Sequence, residues 1–190
     1  MLKTTSSGVF VGFFLVMLSH ATMVSQSGKT PLRAIDVTHG ELMTVLKTMN
    51  PDAVSDQQIR VADMGKYNVA VGILHRSAKA KQSSISHAQV TEIYHIIDGS
   101  GTFVTGGTMD NAAPADPNGS TVKILVGPST NGGAIQNGRS RKIGPGDVIV
   151  IPPGVAHWFS AMDSDMNYLV VRVDADHVLP AGYEHPALKK

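Results

Sequence analysis

The chain has no cysteine among its 190 residues. That absence excludes disulfides, thiolate metal ligands and a cysteine nucleophile. It is compatible with an oxidising compartment without requiring one. Charge is sparse as well. Only 16% of residues are charged, and the formal net charge is +1. Neither a nucleic-acid surface nor a funnel for acidic substrates is indicated. No Gly-x-Ser-x-Gly nucleophile elbow is present. Gly28-Lys29-Thr30 resembles the end of a phosphate loop, but Met23 stands where its first glycine belongs. What the chain does have is 19 Gly and 10 Pro. Turns are therefore numerous, which suits many short strands better than long helices. The length fits one domain with one core.

Residues 1–21 read as a secretory signal peptide. Lys3 supplies a positive start, Gly8 to Leu18 is an apolar run, and Ser19-His20-Ala21 offers a small-residue cleavage site. The run falls short of the ~20 apolar residues that a transmembrane helix needs. An uncleaved membrane anchor is the alternative reading, and no other stretch is apolar enough to span a bilayer. The expectation is a secreted or periplasmic protein that starts near Thr22, with no membrane contact after signal removal and no nucleic-acid partner.

Residues 22–57 read as a polar arm and one helix. Thr38 and Glu41 form a capping box, and Leu42, Val45, Leu46 and Met49 recur at helical spacing. Asn50-Pro51-Asp52 stops the helix. Its apolar face suits packing against a sheet. Residues 58–178 read as the strand-rich body. Tyr67–Leu74, Val90–Ile97, Gly101–Thr105, Val122–Val126, Asp147–Ile151, His157–Ala161 and Tyr168–Val173 have strand character. Asp98-Gly99 is a hairpin signal, and Pro152-Pro153-Gly154 is a tight turn. The Gly, Asn, Pro and Ser-rich span between Gly106 and Gly146 is expected to be a long excursion, of the kind that forms lids or binding loops. Residues 179–190 are expected to be an arm across the surface or a disordered tail. Strand following strand after one early helix predicts an all-β, antiparallel sandwich or barrel.

Two segments carry chemistry. Side chains alternate along a strand, so an inward Glu92 brings Tyr94 and Ile96 with it and sends Thr91, Ile93 and His95 outward. A buried Glu needs a partner or a metal. His87 and His157 are the natural partners, and two imidazoles with one carboxylate suit a divalent transition metal: Fe, Mn, Ni or Zn. His87 and Glu92 differ in strand parity, so both face inward only if a bulge or turn separates them. Arg139, Arg141 and Lys142 are read as a solvated loop, with a clamp for an anionic substrate as the functional alternative.

With those residues in view, the chain resembles the cupin superfamily over roughly residues 60 to 175. His87, Glu92 and Gly99 keep the offsets of the first cupin motif. Gly146, Pro152, Gly154 and His157 match the second. The resemblance implies a small cupin-type, jelly-roll-like antiparallel β-barrel with one short N-terminal helix. By analogy it also implies a homodimer. Three positions depart from the motifs. Ile85 stands where the family's first histidine belongs, Lys79 where a glycine does, and Ala161 where an asparagine does. One reading is a 2-His-1-carboxylate site of His87, Glu92 and His157 with open positions. A second lets His75 replace the lost ligand. A third has no metal, leaving the groups as acid and base.

Three functions follow. The first is a metal-dependent enzyme acting on a small organic molecule, with Tyr94 or His75 positioning substrate or moving a proton. An oxidoreductase of the dioxygenase type leads there, with an isomerase, lyase or decarboxylase behind it. The second is a non-catalytic binding cupin for a small, sugar-like ligand. The third is a metal-free racemase, epimerase or cyclase.

Overall fold

Thr38 caps the only α-helix among the described residues, α1 (His39–Leu46), as its sequence predicts. In this computed structural model, which describes residues 34–189, the Thr38 hydroxyl accepts from the Glu41 amide and the Glu41 carboxylate accepts from the Thr38 amide. The expected signal peptide, residues 1–21, lies outside the described residues, as does the start of the arm. Val45 and Met49 pack with Ile59 and Ile73, so the apolar face covers a sheet.

That sheet contains β1 (Val54–Asp63), β2 (Asn68–Arg76), β4 (Val90–Asp98), β11 (Val148–Ile151) and β13 (Met166–Asp174), in the order β1-β2-β13-β4-β11. A second sheet runs β10-β5-β12-β3-β8-β7. Its strands are β3 (Ser84–His87), β5 (Gly101–Thr105), β7 (Ala113–Pro114), β8 (Ser129–Gly132), β10 (Arg139–Ile143) and β12 (His157–Met162). Two short strands, β6 (Thr108–Met109) and β9 (Ile135–Gln136), pair separately. All pairings are antiparallel. The main core forms where inward residues of both sheets meet, such as Tyr94, Ile149 and Tyr168 against Phe103 and Phe159. The all-β expectation with one short helix therefore holds.

Several local expectations are corrected. β1 starts at Val54, inside the stretch expected to be arm, because Asp56, Gln57 and Gln58 hide its strand character. Gln58 is nonetheless fully buried. Val122–Val126 is not a strand but part of a π-helical turn, Thr121–Val126. A short apolar run does not distinguish the two, and Val126 buries against Val61, Val90 and Leu179 in either case. Asp98-Gly99 turns the chain, but makes no hairpin: β4 pairs with β11 and β13, whereas β5 pairs with β10 and β12. The turn carries the chain from one sheet to the other. Residues 139–143, read as loop, form the edge strand β10.

The C-terminal segment is an arm laid along β1. The His185 amide donates to the Ile59 carbonyl at 2.9 Å, and Arg60 pairs with Glu184 at 2.8 Å. Asp174, at the end of β13, accepts from the amides of Val178 and Leu179, which fixes where the arm begins.

Gly99 has φ +78, and a Cβ there would lie 2.1 Å from the Asp165 carbonyl oxygen. Gly146 has φ +87 with open space around it. Gly99→Ala should therefore cost clearly more stability than Gly146→Ala. The latter pays only for its backbone conformation, on the order of 1 kcal/mol. Urea unfolding of the two variants compares them, and equal losses would refute the close approach of the Asp165 backbone to Gly99.

Candidate metal centre and its cavity

Glu92 faces the core from β4, together with Val90, Tyr94 and Ile96, while His95 is exposed on the other face. His87 ends β3, in the opposite sheet. Ala88 and Gln89 form the bend between the strands, so His87 and Glu92 approach one point from two sheets. This supplies the turn that their parity requires. His157 opens β12 directly opposite Ile85 of β3. The Pro152–Gly154 turn is tied to the end of β3, because the Gly154 amide donates to the His87 carbonyl at 2.7 Å. This hydrogen bond adds to the β4–β11 ladder that already pairs the two motifs.

Glu92 Oε2 lies 3.2 Å from His87 Nε2 and 3.5 Å from His157 Nε2. The three ligand atoms lie within 4.8 Å of one another. All three residues are buried. The hydrogen bonds behind the rings decide which nitrogens carry protons. His157 Nδ1 faces the Val155 carbonyl at 3.1 Å, and a carbonyl only accepts, so Nδ1 carries the proton. His87 Nδ1 lies 3.0 Å from Ser129 Oγ, and that hydroxyl donates to the Gly127 carbonyl. Ser129 must then accept from His87. In their neutral forms both imidazoles then turn Nε2 lone pairs toward the carboxylate oxygen. Three donor atoms this close repel one another unless a proton or a metal ion lies among them, and the set fits a divalent transition ion.

The carboxylate is oriented from behind. Arg172 stands opposite Glu92 in the β13–β4 register and is fully buried. Its Nε donates to Glu92 Oε1 at 2.9 Å and its Nη1 to Gln58 Oε1 at 2.7 Å, while its Nη2 is bonded to Asp56 Oδ2. Arg172 thereby occupies one oxygen of Glu92 and leaves the other to the histidines. Burial alone would favour the protonated Glu92. A protonated His87 and, with it, Arg172 outweigh burial and hold the carboxyl well below the usual range. Burial pushes the Asp56 carboxyl up, against the pull of Arg172. Burial also lowers the His157 imidazole to about 4, with Glu92 opposing it. Tyr94 donates to Glu92 Oε2 at 2.7 Å and sits 3.3 Å from His157 Nε2. Burial, reinforced by the adjacent Glu92 charge, raises its pKa well above the usual value.

His87, Glu92 and Tyr94 line a cavity of about 390 Å³, together with Ile85, Asp56, Leu74 and Arg76. Ile85 thus borders the site without offering a ligand atom. His75 does not join it. On β2, Leu74 and Arg76 face inward and His75 outward, where its ring nitrogens meet Asn167 Oδ1 at 2.9 Å and the Pro51 carbonyl at 3.0 Å. Strand alternation therefore removes His75 both as fourth ligand and as proton carrier. The basic group on β10 is also elsewhere. Lys142 pairs with Asp163 at 2.7 Å, and Arg139 and Arg141 border a separate cleft with Val150 and Pro152.

Arg172, Asp56, Gln58 and Arg76 escaped the sequence reading. Arg172 carried a signal, since it interrupts the apolar run Tyr168–Val173 at the same parity as Tyr168 and Val170. Asp56 and Gln58 carried none, because their polarity reads as exposure.

A family model described as Cupin matches residues 70–183. No curated protein matches the chain. Among solved structures it is similar to the DMSP lyase DddQ from Ruegeria pomeroyi DSS-3, at 17% identity over 73% of this chain and 55% of that one, with a TM-score of 0.43. The chain thus spans little more than half the length of DddQ. It is similar to the Clostridium difficile EutQ protein at 14% identity over 75% and 82% of the two chains, TM-score 0.38. With KdgF from Halomonas sp. the figures are 11%, 64%, 79% and 0.37.

Two outcomes test the electrostatics. Arg172→Met leaves two carboxylates without their cation, and breaking a buried pair costs about 3–5 kcal/mol. Urea unfolding at neutral pH should show a loss of that order, and wild-type stability would contradict the network. The second concerns acid. The folded His157 pKa is about 4 against an ordinary value of 6.5. Between those values the unfolded chain binds a proton that the folded chain does not. Stability is therefore complete above 6.5 and falls as pH drops toward 4, by about 1.4 kcal/mol per unit. Metal-free His157→Gln should lose stability less steeply over that window than the metal-free wild type.

Proposed function

The chain belongs to the cupin family, and from that premise we propose that it is a metal-dependent enzyme acting on a small organic molecule. The observation that carries this reading is the convergence of two imidazole lone pairs and one carboxylate oxygen beside a cavity of about 390 Å³. His87, Glu92 and His157 would hold the ion. A redox-active ion in this ligand set supplies the oxidising chemistry of non-haem iron oxygenases, and a redox-inert one supplies Lewis acidity. Three protein ligands rather than four favour turnover over a closed structural site.

The chain's own residues do the rest. Arg172 keeps Glu92 ionised and aimed. Ser129 and the Val155 carbonyl hold both imidazoles in the ligating tautomer. Leu74 and Ile85 give the cavity apolar walls. Tyr94 keeps its proton at Oη and donates it to Glu92 Oε2; with an ion on that oxygen, the hydroxyl would be free to donate to a bound molecule instead. An oxidoreductase is the leading reading because the ligands form the 2-His-1-carboxylate set. A metal-assisted lyase or isomerase is the second, favoured by the protonated Tyr94 hydroxyl beside the ligands. Secretion or export to a periplasm, from residues 1–21, belongs to the same proposal.

Metal analysis of the purified full chain should find one divalent ion per chain. Glu92→Gln and His157→Ala should each weaken its binding by more than the roughly 10–100-fold that loss of an outer partner costs. Absence of stoichiometric metal would refute the reading. Nitric oxide added to the anaerobic iron(II)-loaded protein then separates the two chemistries. An electron-paramagnetic signal of the nitrosyl adduct supports an open oxygenase-type site, and its absence leaves the Lewis-acid reading.

A further inference from the structure

Arg76 is a buried cation without an anion. It is 8% exposed and faces inward from the end of β2. Its Nε donates to the Tyr168 hydroxyl at 2.8 Å and its Nη1 to Gln82 Oε1 at 3.0 Å. Its guanidinium carbon lies 4.7 Å from the centre of the Phe159 ring. Every one of these partners is neutral. Among the described residues, no carboxylate lies within ion-pair distance of Arg76, whereas Arg172 has two. Asp56, an acid lining the same cavity, is held by Arg172.

An unpaired buried charge is expensive, yet the protein builds a mount for this one. Gln82 is itself held by donating to the Ser77 and Ala80 carbonyls at 3.0 and 2.9 Å, which turns its oxygen toward Arg76. Tyr168 is fully buried. A guanidinium has five N–H donors, and only two are engaged. The remaining donors include one on Nη1 and both on Nη2, and one from each nitrogen makes the parallel pair that fits a carboxylate. The residue lines the cavity that Glu92, His87 and Tyr94 also line.

The charges agree. Arg172, Asp56 and Glu92 together carry one net negative charge, which a divalent ion at the histidines would reverse. Arg76 adds a further positive charge to the same space.

We infer that Arg76 anchors a carboxylate of the small molecule that occupies this cavity, holding its other end toward Glu92 and the histidines. The inference rests on the reading of that cavity as the ligand site of a metal-dependent cupin. It narrows the ligand to a small organic acid. The anion clamp, weighed only as the alternative to a solvated loop for Arg139, Arg141 and Lys142, is thereby assigned to a different residue, one that no basic cluster marks in the sequence.

Succinate and its neutral analogue succinamide are the probes, titrated calorimetrically into the full chain, both zinc-loaded and metal-free. Wild type should bind succinate and discriminate against succinamide in both forms. Arg76→Gln should weaken succinate by roughly 30-fold or more while zinc affinity stays unchanged. Arg76→Lys, which keeps the charge but not the fork, should fall between them, with its thermal unfolding checking the fold. Equal binding of succinate and succinamide by wild type, a measurement that needs no variant, would overturn the inference. So would succinate affinity indifferent to Arg76, or inorganic phosphate binding more tightly than succinate. Failure of the metal reading looks different: zinc would not bind, while Arg76-dependent succinate binding persisted in the metal-free protein.

Discussion

The ion pair between Arg172 and Glu92 is the interaction on which the site depends. Both residues are fully buried, and neither is tolerable there alone. Arg172 draws on three strands at once: Glu92 from β4, Gln58 and Asp56 from β1, and its own β13. β2 lies between β1 and β13 in the sheet, so the long arginine side chain reaches across it. Gly72 of β2 makes room. A Cβ there would meet Arg172 Nη1 at 3.2 Å and the Gln57 carbonyl oxygen at 2.9 Å. The glycine is a packing requirement of the network rather than a turn.

A carboxylate held in this way has one oxygen committed to Arg172 and the other turned to the cavity, where Tyr94 donates to it. That second oxygen also meets two imidazoles whose Nδ1 protons are fixed on their far sides by Ser129 and the Val155 carbonyl. Preorganisation of this kind lowers the cost of ordering the ligands when an ion binds. It also explains the division of labour between the sheets. The Arg172-bearing sheet supplies the charge, and the opposite sheet supplies both imidazoles. The Gly154–His87 hydrogen bond keeps those two histidines together. The same pattern of fixed backing and open front recurs at Arg76, which Tyr168, Gln82 and Phe159 hold from behind.

Much of the site was legible because its signals were local. The five-residue step from His87 to Glu92 demanded a turn, and Ala88-Gln89 is that turn. Parity placed Tyr94 with Glu92 and sent His95 to the surface. The capping box at Thr38 and Glu41 needed four residues to recognise. Errors arose where the same local pattern had two outcomes. Val122–Val126 is apolar and short, which suits a strand and a helical turn alike. Asp98-Gly99 turns the chain, but the turn chemistry does not specify whether the next strand pairs with the last or crosses to another sheet. His75 looked available because histidine type says nothing about facing, although the parity of Leu74 and Arg76 would have turned it outward.

The donor types, the order of the two motifs, the alternation that puts Glu92 and Tyr94 on one face, and the all-β character could all be read from the chain. Those properties depend on residue chemistry and on spacing within a strand or turn. Which cation answers Glu92, which carboxylates answer Arg172, and that Arg76 answers none came from the packed fold alone. Arg172 meets Glu92 across 80 positions of sequence and Asp56 across 116. Contacts at such separations are set by sheet order and register, and the chain crosses between its two sheets at turns whose residues do not encode the crossing. Burial then gives those pairings their weight, because a charge that would be unremarkable in water must find its counterpart inside the barrel.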